Sequence, residues 1–341
     1  MHYRSVADLN DTILQNLHKL PSHVDMIVGI PRSGLLAANL LCLALNVPLA
    51  DVDGFLEGKF LIPGVTRKIK NRNKTAAEMR TVVVIDDSIR SGETMRKTRA
   101  RFDKVYRGVN FVFCAVYGLE KNQPGVDIVF EAVPPPRMFQ WNLMHHSNLT
   151  YCCVDIDGVL CLDPTADEND DGPAYEKFLA GAIPLLVPSQ PIKALVTSRL
   201  EKYRELTEKW LGEHGIEYQA LHMLNVPSRQ ERIRLGLHGQ FKADIYAASD
   251  AILFIESEYG QAREIAKKAG KPVLCIETQH IIYPSPTSPA ALRHLPSRLR
   301  MKYARKQHPL KTILPKLIGE RPYTLLKTLA KKTKNTTRLM L

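Results

Sequence analysis

Apolar residues recur along this chain in two rhythms, one of helical spacing and one of short continuous runs. Val6, Leu9, Ile13, Leu14 and Leu17 form a helical stripe, so a helix is expected over Val6–Lys19. Met26–Ile30 reads as a short strand, followed by the turn Pro31–Gly34 and a helix over Leu35–Leu45. Val82–Ile85 is an unbroken β-branched run and predicts a buried strand. Asp86 and Asp87 sit at its C-terminal edge, before a turn rich in small hydroxyl residues and Gly, and a basic helical run follows at Met95–Arg101. Strands are expected at Phe111–Tyr117 and Val126–Phe130, and Pro134–Pro136 ends regular structure. A second series opens at Tyr151 with a strand ending in Asp155. It continues with a short helix near Tyr175–Leu179, a strand at Ala194–Val196, a helix over Leu200–His214 and a core strand at Ala251–Ile255. After a Pro- and Ser-rich linker, Pro284–Pro296, the residues Leu310, Ile313, Leu314, Leu317 and Ile318 return to helical spacing.

A length of 341 residues accommodates two domains, each with its own core. No apolar run is long enough to span a bilayer, and the N-terminal MHYRSVADLND lacks the apolar segment of a signal peptide. Six scattered Cys without a CxxC pair point to buried, reduced thiols in a cytosolic protein. The net charge of +12 is uneven: residues 291–341 hold 14 Lys and Arg against one acid, so the other 290 residues sum to −1. That basic tail admits three readings: a helix packed on the body, a helix on an anionic membrane surface, or a nucleic-acid arm. No recognised nucleic-acid motif accompanies the charge.

A strand, a tight loop and a helix start together make a phosphate site, because backbone N–H groups and the helix dipole converge on an anion. Two carboxylates exceed what phosphate binding needs, and suit a polyol or a metal beside it. The stretch VVVIDDSIRSGET resembles the PRPP-binding motif of type I phosphoribosyltransferases. The resemblance implies that Asp86 and Asp87 hold the ribose hydroxyls, and that Ser88, Arg90, Ser91, Gly92 and Thr94 line the 5′-phosphate loop. It also gives the earlier GIPRSG loop the pyrophosphate, through Arg32, Ser33 and Gly34. The basic stretch Lys59–Lys74, with Arg67, Lys68, Lys70, Arg72 and Lys74, is either a solvated loop or the mobile loop closing over pyrophosphate. His145 and His146 either touch the acceptor or form a packed, satisfied pair.

YCCVDIDGVL places two carboxylates at i and i+2 of an extended chain end, where they point the same way. It resembles the first motif of haloacid dehalogenase-type (HAD) phosphatases. The resemblance implies Asp155 as nucleophile, Asp157 as general acid/base, Thr197 on the phosphoryl group and Lys242 as its stabilising cation. Mg²⁺ would be held by Asp155, Asp157 and Glu256, with Glu258 second to Glu256. Ser257 stands where that family usually has an Asp. About 35 residues lie between the first motif and the next strand, so any cap is minimal and the site open.

The fold expected is therefore α/β, with two doubly wound parallel-sheet domains in series: residues 1–149, then 150–285, then the tail 286–341. The expected function is transfer of 5-phosphoribosyl from PRPP to a sugar acceptor, a lipid-linked glycan included, followed by removal of the 5-phosphate. This resembles the bimodular enzymes that place ribofuranose in bacterial surface polysaccharides. The location implied is cytoplasmic, with a peripheral place at the inner membrane face if the tail binds lipid. A nucleobase phosphoribosyltransferase with an attached phosphatase, and a PRPP-sensing RNA-binding regulator, are the alternatives. Oligomeric state is not legible in the sequence.

Overall fold

A strand that is apolar at every position must be covered on both faces, and the central strands of this chain are. The computed structural model describes residues 1–62 and 75–285, and all of these belong to one compact unit. Most of the basic stretch, including Arg67–Lys74, and the whole amphipathic tail lie outside the described residues.

The first half runs β1 (His2–Arg4), α1 (Val6–Asn16), β2 (Met26–Gly29), α2 (Gly34–Leu45), β3 (Leu49–Asp51) and α3 (Val52–Leu56). It continues with β4 (Thr81–Ser88), α4 (Glu93–Val105), β5 (Asn110–Gly118), β6 (Ile128–Ala132) and β7 (Arg137–Phe139). The strands β3-β2-β4-β5-β6 form one parallel sheet in that order. Alternate residues face opposite sides. Ile27, Val83 and Ile85 meet Leu9, Ile13 and Leu41 from α1 and α2. Met26, Val28, Val82 and Val84 meet Phe55, Met95 and Phe102 from α3 and α4. A capping box starts α1: the Ser5 hydroxyl accepts from Asp8 N, and the Asp8 carboxylate accepts from Ser5 N.

The second half runs β8 (Cys152–Val154), α5 (Pro173–Gly181), β9 (Ile192–Leu200), α6 (Arg204–Glu213), β10 (Tyr218–Leu224) and α7 (Arg229–Arg234). It ends with α8 (Leu237–Ala248), β11 (Leu253–Glu256), α9 (Tyr259–Ala269), β12 (Val273–Cys275) and β13 (His280–Ile282). Its sheet has the order β10-β9-β8-β11-β12-β13, parallel except for β13. The chain leaves β8 toward β9 on one side and later returns as β11 on the other. Such a switch point opens a crevice at the carboxyl ends of the strands. β1 and β7 pair with each other, and Tyr3 and Met138 from them join the core of the second sheet.

Several element boundaries differ from the sequence reading, three of them in ways that bear on the sites. β4 runs to Ser88 because β5 keeps pairing with it, through Asp86↔Ala115 and Ser88↔Tyr117. β9 extends to Leu200, where a helix was expected, since Leu224 of β10 still pairs with Leu200; α6 starts only at Arg204. The strand expected at Val126–Phe130 lies two residues later, at Ile128–Ala132. All six cysteines are free and buried. Among the described residues, no helix is long and apolar enough to cross a membrane.

Arg137 ties the carboxyl edge of the first sheet together. Its buried guanidinium donates to the carbonyls of Ile89 (2.6 Å), Val133 (3.0 Å) and Gly118 (3.2 Å). Arg137→Met strips the donor from these sheltered carbonyls and should lower stability by about 3 kcal/mol. Urea unfolding measures this; an unchanged midpoint would show that the guanidinium is dispensable.

Candidate active sites

β2 and β4 are neighbours with Gly29 opposite Ile85, so the loops leaving them emerge side by side. Ile30 N donates to the Ile85 carbonyl at 3.0 Å, holding the first loop against the second. That first loop contains a cis Pro31–Arg32 peptide and an exposed Arg32, and it delivers Gly34 against Asp86. A Cβ on Gly34 would stand 2.8 Å from Asp86 Oδ1 and 3.0 Å from the Ile85 carbonyl oxygen. Only glycine allows this approach.

Asp87 is buried, and its Oδ2 accepts from Trp141 Nε1 at 2.8 Å. Asp86 Oδ1 accepts from Asp87 N at 2.9 Å. Burial, and after it the charge of Asp87, push the Asp86 carboxyl up to about 8. Near neutral pH the pair therefore retains a proton, and can both donate to and accept from neighbouring hydroxyls. Beyond Ser88, the Arg90 carbonyl accepts from Gln123 Nε2 at 2.6 Å. Gly92 takes φ +71° to start α4, with Pro124 O where a Cβ would come within 2.7 Å. The first-turn N–H groups of α4 have no partner within the helix, and Arg90, Ser91 and Thr94 are exposed beside them. Ser88, Arg90, Ser91, Gly92 and Thr94 thus gather at the same sheet edge as Arg32, Ser33, Gly34, Asp86 and Asp87. Such an arrangement can take an anion next to a pair of acids.

His145 and His146 both have partners. His146 Nδ1 accepts from Asn148 N at 3.1 Å, and the ring lies below its usual pKa through burial and the charges of Arg137 and Arg90. His145 Nδ1 and Ser189 Oγ are 2.9 Å apart.

At the edge of the second sheet, Asp155 follows β8, Thr197 lies within β9 and Glu256 ends β11; all are buried. Lys242 reaches in from α8 and donates to Asp155 Oδ2 (2.6 Å), Glu256 Oε2 (2.9 Å) and Gln261 Oε1 (3.0 Å). The two carboxylates hold the ammonium above its ordinary pKa against the opposing effect of burial. Burial raises the Asp155 carboxyl, and Lys242 opposes that rise. Glu256 Oε1 is taken by Ser257, through its N–H at 3.0 Å and its hydroxyl at 3.2 Å. Asp157 is clamped by the fully buried Arg199, whose Nη2 donates at 2.7 Å and whose Nε donates at 3.2 Å to each carboxylate oxygen. Gly158 has φ +71°, and a Cβ there would come within 2.5 Å of Ser257 Cβ and 2.7 Å of Asp163 Oδ2.

A cavity of about 170 Å³ opens beside these groups, lined by Asp155, Asp157, Asp163, Ser198, Arg232 and Lys242 among others. Thr197 and Glu256 lie behind its wall. Sequence reasoning missed Asp163, Arg199 and Arg232. The signal for Arg199 was present, as a lone Arg between the apolar stretch Ala194–Val196 and Leu200. The other two sit in irregular or polar stretches without periodicity. Among the described residues, no three His, Cys, Asp or Glu side chains form a ready cage for a metal ion.

Residues 2–118 match the family described as "Phosphoribosyl transferase domain". A search of curated proteins returned no match. Solved structures similar to this chain include the xanthine-guanine-hypoxanthine phosphoribosyltransferase of Helicobacter pylori. The two share 14% identity over 42% of this chain and 92% of that one, with a TM-score of 0.31. A purine phosphoribosyltransferase of Pyrococcus horikoshii is 18% identical over 40% and 85%, with a TM-score of 0.26. The adenine phosphoribosyltransferase of Trypanosoma brucei is 22% identical over 33% and 52%, with a TM-score of 0.23. The family match places a type I phosphoribosyltransferase domain in the first part of the chain. The match ends at Gly118, so it takes in β4 with both acids, the loop before α4 and the loop carrying Arg32.

Gly34→Ala tests the close packing of the two loops. The added methyl group displaces Asp86 and should weaken PRPP binding about tenfold or more, with the melting temperature nearly unchanged. Calorimetric titration reads this, and wild-type affinity in the variant would contradict it.

Proposed function

We propose that this chain is a bifunctional enzyme, transferring 5-phosphoribosyl from PRPP to an acceptor and then hydrolysing the 5-phosphate. Residues 1–149 would carry the transfer and residues 150–285, read as a HAD-type phosphatase, the hydrolysis. The observation that carries the reading is the presence of two separate carboxylate sites at the C-terminal edges of two parallel sheets. One is an acid pair beside a phosphate loop. The other is a buried aspartate paired with a buried lysine, next to a second aspartate clamped by arginine.

In the transfer, Asp86 and Asp87 would hold the ribose diol while the Ser88–Thr94 loop holds the 5′-phosphate. Arg32 and the α2 N-terminus face the pyrophosphate. The bond from the anomeric carbon to pyrophosphate breaks, an acceptor oxygen bonds to that carbon, and the acceptor's proton passes to the departing pyrophosphate. Arg90 stands where purine-salvage relatives place an Asp that protonates the base, which speaks against a purine acceptor. A hydroxyl of a glycan fits better, because a bulky product suits the nearly cap-free second site. Among the described residues α5, which buries Tyr175, Phe178 and Leu179, is the sole helix between β8 and β9.

In the hydrolysis, Asp155 attacks phosphorus and the bond to the ribose oxygen breaks, leaving an aspartyl-phosphate on Asp155. Asp157, oriented by Arg199, hands a proton to the departing oxygen and then takes one from the attacking water. Lys242 keeps Asp155 aligned. Asp155, Asp157, Asp163 and Ser257 bring oxygen donors to the cavity wall, a set that fits Mg²⁺. Burial and the nearby charges of Asp157 and Glu256 raise the Asp163 carboxyl, as expected where negative charge is in surplus. Magnesium typically takes one or two carboxylates and completes its shell with water and substrate oxygens, so a protein-only cage is not required. Asp155 and Asp157 would hold it, and it would offset charge on the phosphoryl oxygens. Glu256 would join only if Ser257 released Oε1.

Separate substitutions test the division of labour. Asp87→Asn should lose PRPP binding by about a hundredfold yet hydrolyse p-nitrophenyl phosphate as the wild type does. Asp155→Asn should show the reverse pattern, with hydrolysis down by at least about a thousandfold. If one substitution abolished both readouts in folded protein, the two-site reading would be wrong.

A further inference from the structure

The charges around the second cavity are unevenly matched. Lys242 is shared between Asp155 and Glu256, and Arg199 is committed to Asp157. His238, also on the cavity wall, adds no positive charge: burial, then Arg232 and Lys242, pull it down to about 4. One lining cation remains. Arg232, on α7, is only 8% exposed and forms no ion pair with a carboxylate among the described residues. Its Nη1 donates to the Ser198 carbonyl at 2.6 Å, which fixes the side chain next to Thr197. Its Nε is buried without a partner among the described residues, and so is the hydroxyl of Ser198. A buried guanidinium with unmet donors is costly unless an anion completes it.

A phosphomonoester arrives in this cavity with close to two negative charges and meets a wall of carboxylates. We propose that Arg232 grips the non-bridging oxygens of the substrate's phosphoryl group, making α7 the source of the anion recognition that a minimal cap cannot supply. This rests on the phosphatase reading above. The planar fork of arginine suits two phosphoryl oxygens at once, and its Nε has no protein partner among the described residues. Ser198 lies beside the same group, with its hydroxyl free to donate to a phosphoryl oxygen. Specificity for phosphate over neutral esters is thereby placed on a residue well apart in sequence from both aspartates.

The test uses the full chain, p-nitrophenyl phosphate as substrate and inorganic phosphate as the binding probe. R232Q should raise KM, and the Kd for phosphate measured by calorimetry, about tenfold or more, with kcat changed less than about threefold. R232K should fall between the two proteins, and PRPP binding and melting temperature should match the wild type. A folded R232Q with wild-type KM and phosphate affinity overturns the assignment of Arg232 while leaving the phosphatase reading in place. A wild type that neither hydrolyses the ester nor binds phosphate overturns the phosphatase reading and this inference together. Should R232Q not fold, R232K decides: a raised KM and phosphate Kd support the assignment, and wild-type values overturn it.

Discussion

A single ammonium group makes the edge of the second sheet possible. Asp155 and Glu256 end neighbouring parallel strands, β8 and β11, and both are buried. Two carboxylates cannot be sheltered side by side without compensation. Lys242 provides it, at 2.6 and 2.9 Å, and in doing so pins α8 to both strands. Losing it would leave two uncompensated buried charges, which typically costs several kcal/mol. The pairing of Arg199 with Asp157 applies the same solution one strand away. Arg199 and Asp157 cancel, but Lys242 answers two carboxylates with one charge, so negative charge stays in surplus beside Asp163 and Arg232 at the cavity wall.

The first sheet solves the same problem with a proton. Asp86 and Asp87 are adjacent and sheltered, and no lysine or arginine is paired with either among the described residues. Asp86 holds its proton to about pH 8 instead. In the proposed reading an ammonium there would block the groups that face a diol, whereas a shared proton leaves both carboxyls able to bond hydroxyls. Trp141 secures Asp87 through its indole N–H. Arg137 spends its charge on three carbonyls of the same edge. The contrast between the sheets fits the proposed chemistry, in which one edge would receive a polyol and its phosphate and the other would present a carboxylate as nucleophile.

Much of this was legible from local pattern. Val82–Ile85 with Asp86 and Asp87, and the turn ending at Gly92 and Thr94, announce a strand, an acid pair and a helix start within one short window. The acids Asp155 and Asp157 were equally visible, since both follow an apolar run and flank a single residue. What local pattern could not show were contacts made across the fold. Arg199 meets Asp157 across 42 residues, and Trp141 meets Asp87 across 54. The helix expected from Leu200 fails for the same reason: the pairing of β10, not the local residues, extends β9. Glu256 was found from its place after Ile255, but the grip of Ser257 on its second oxygen became visible only in three dimensions.

The central claim is that the two sites act in sequence on one product. The most direct measurement is the mass of the acceptor after incubation with PRPP and Mg²⁺, using a panel of nucleobases and of free and lipid-linked sugars. The wild type is compared with the Asp155→Asn variant. The account predicts a sugar that gains bare ribose with the wild type and phosphoribose with the variant. Phosphoribose from both proteins, or reaction of nucleobases alone, would contradict it.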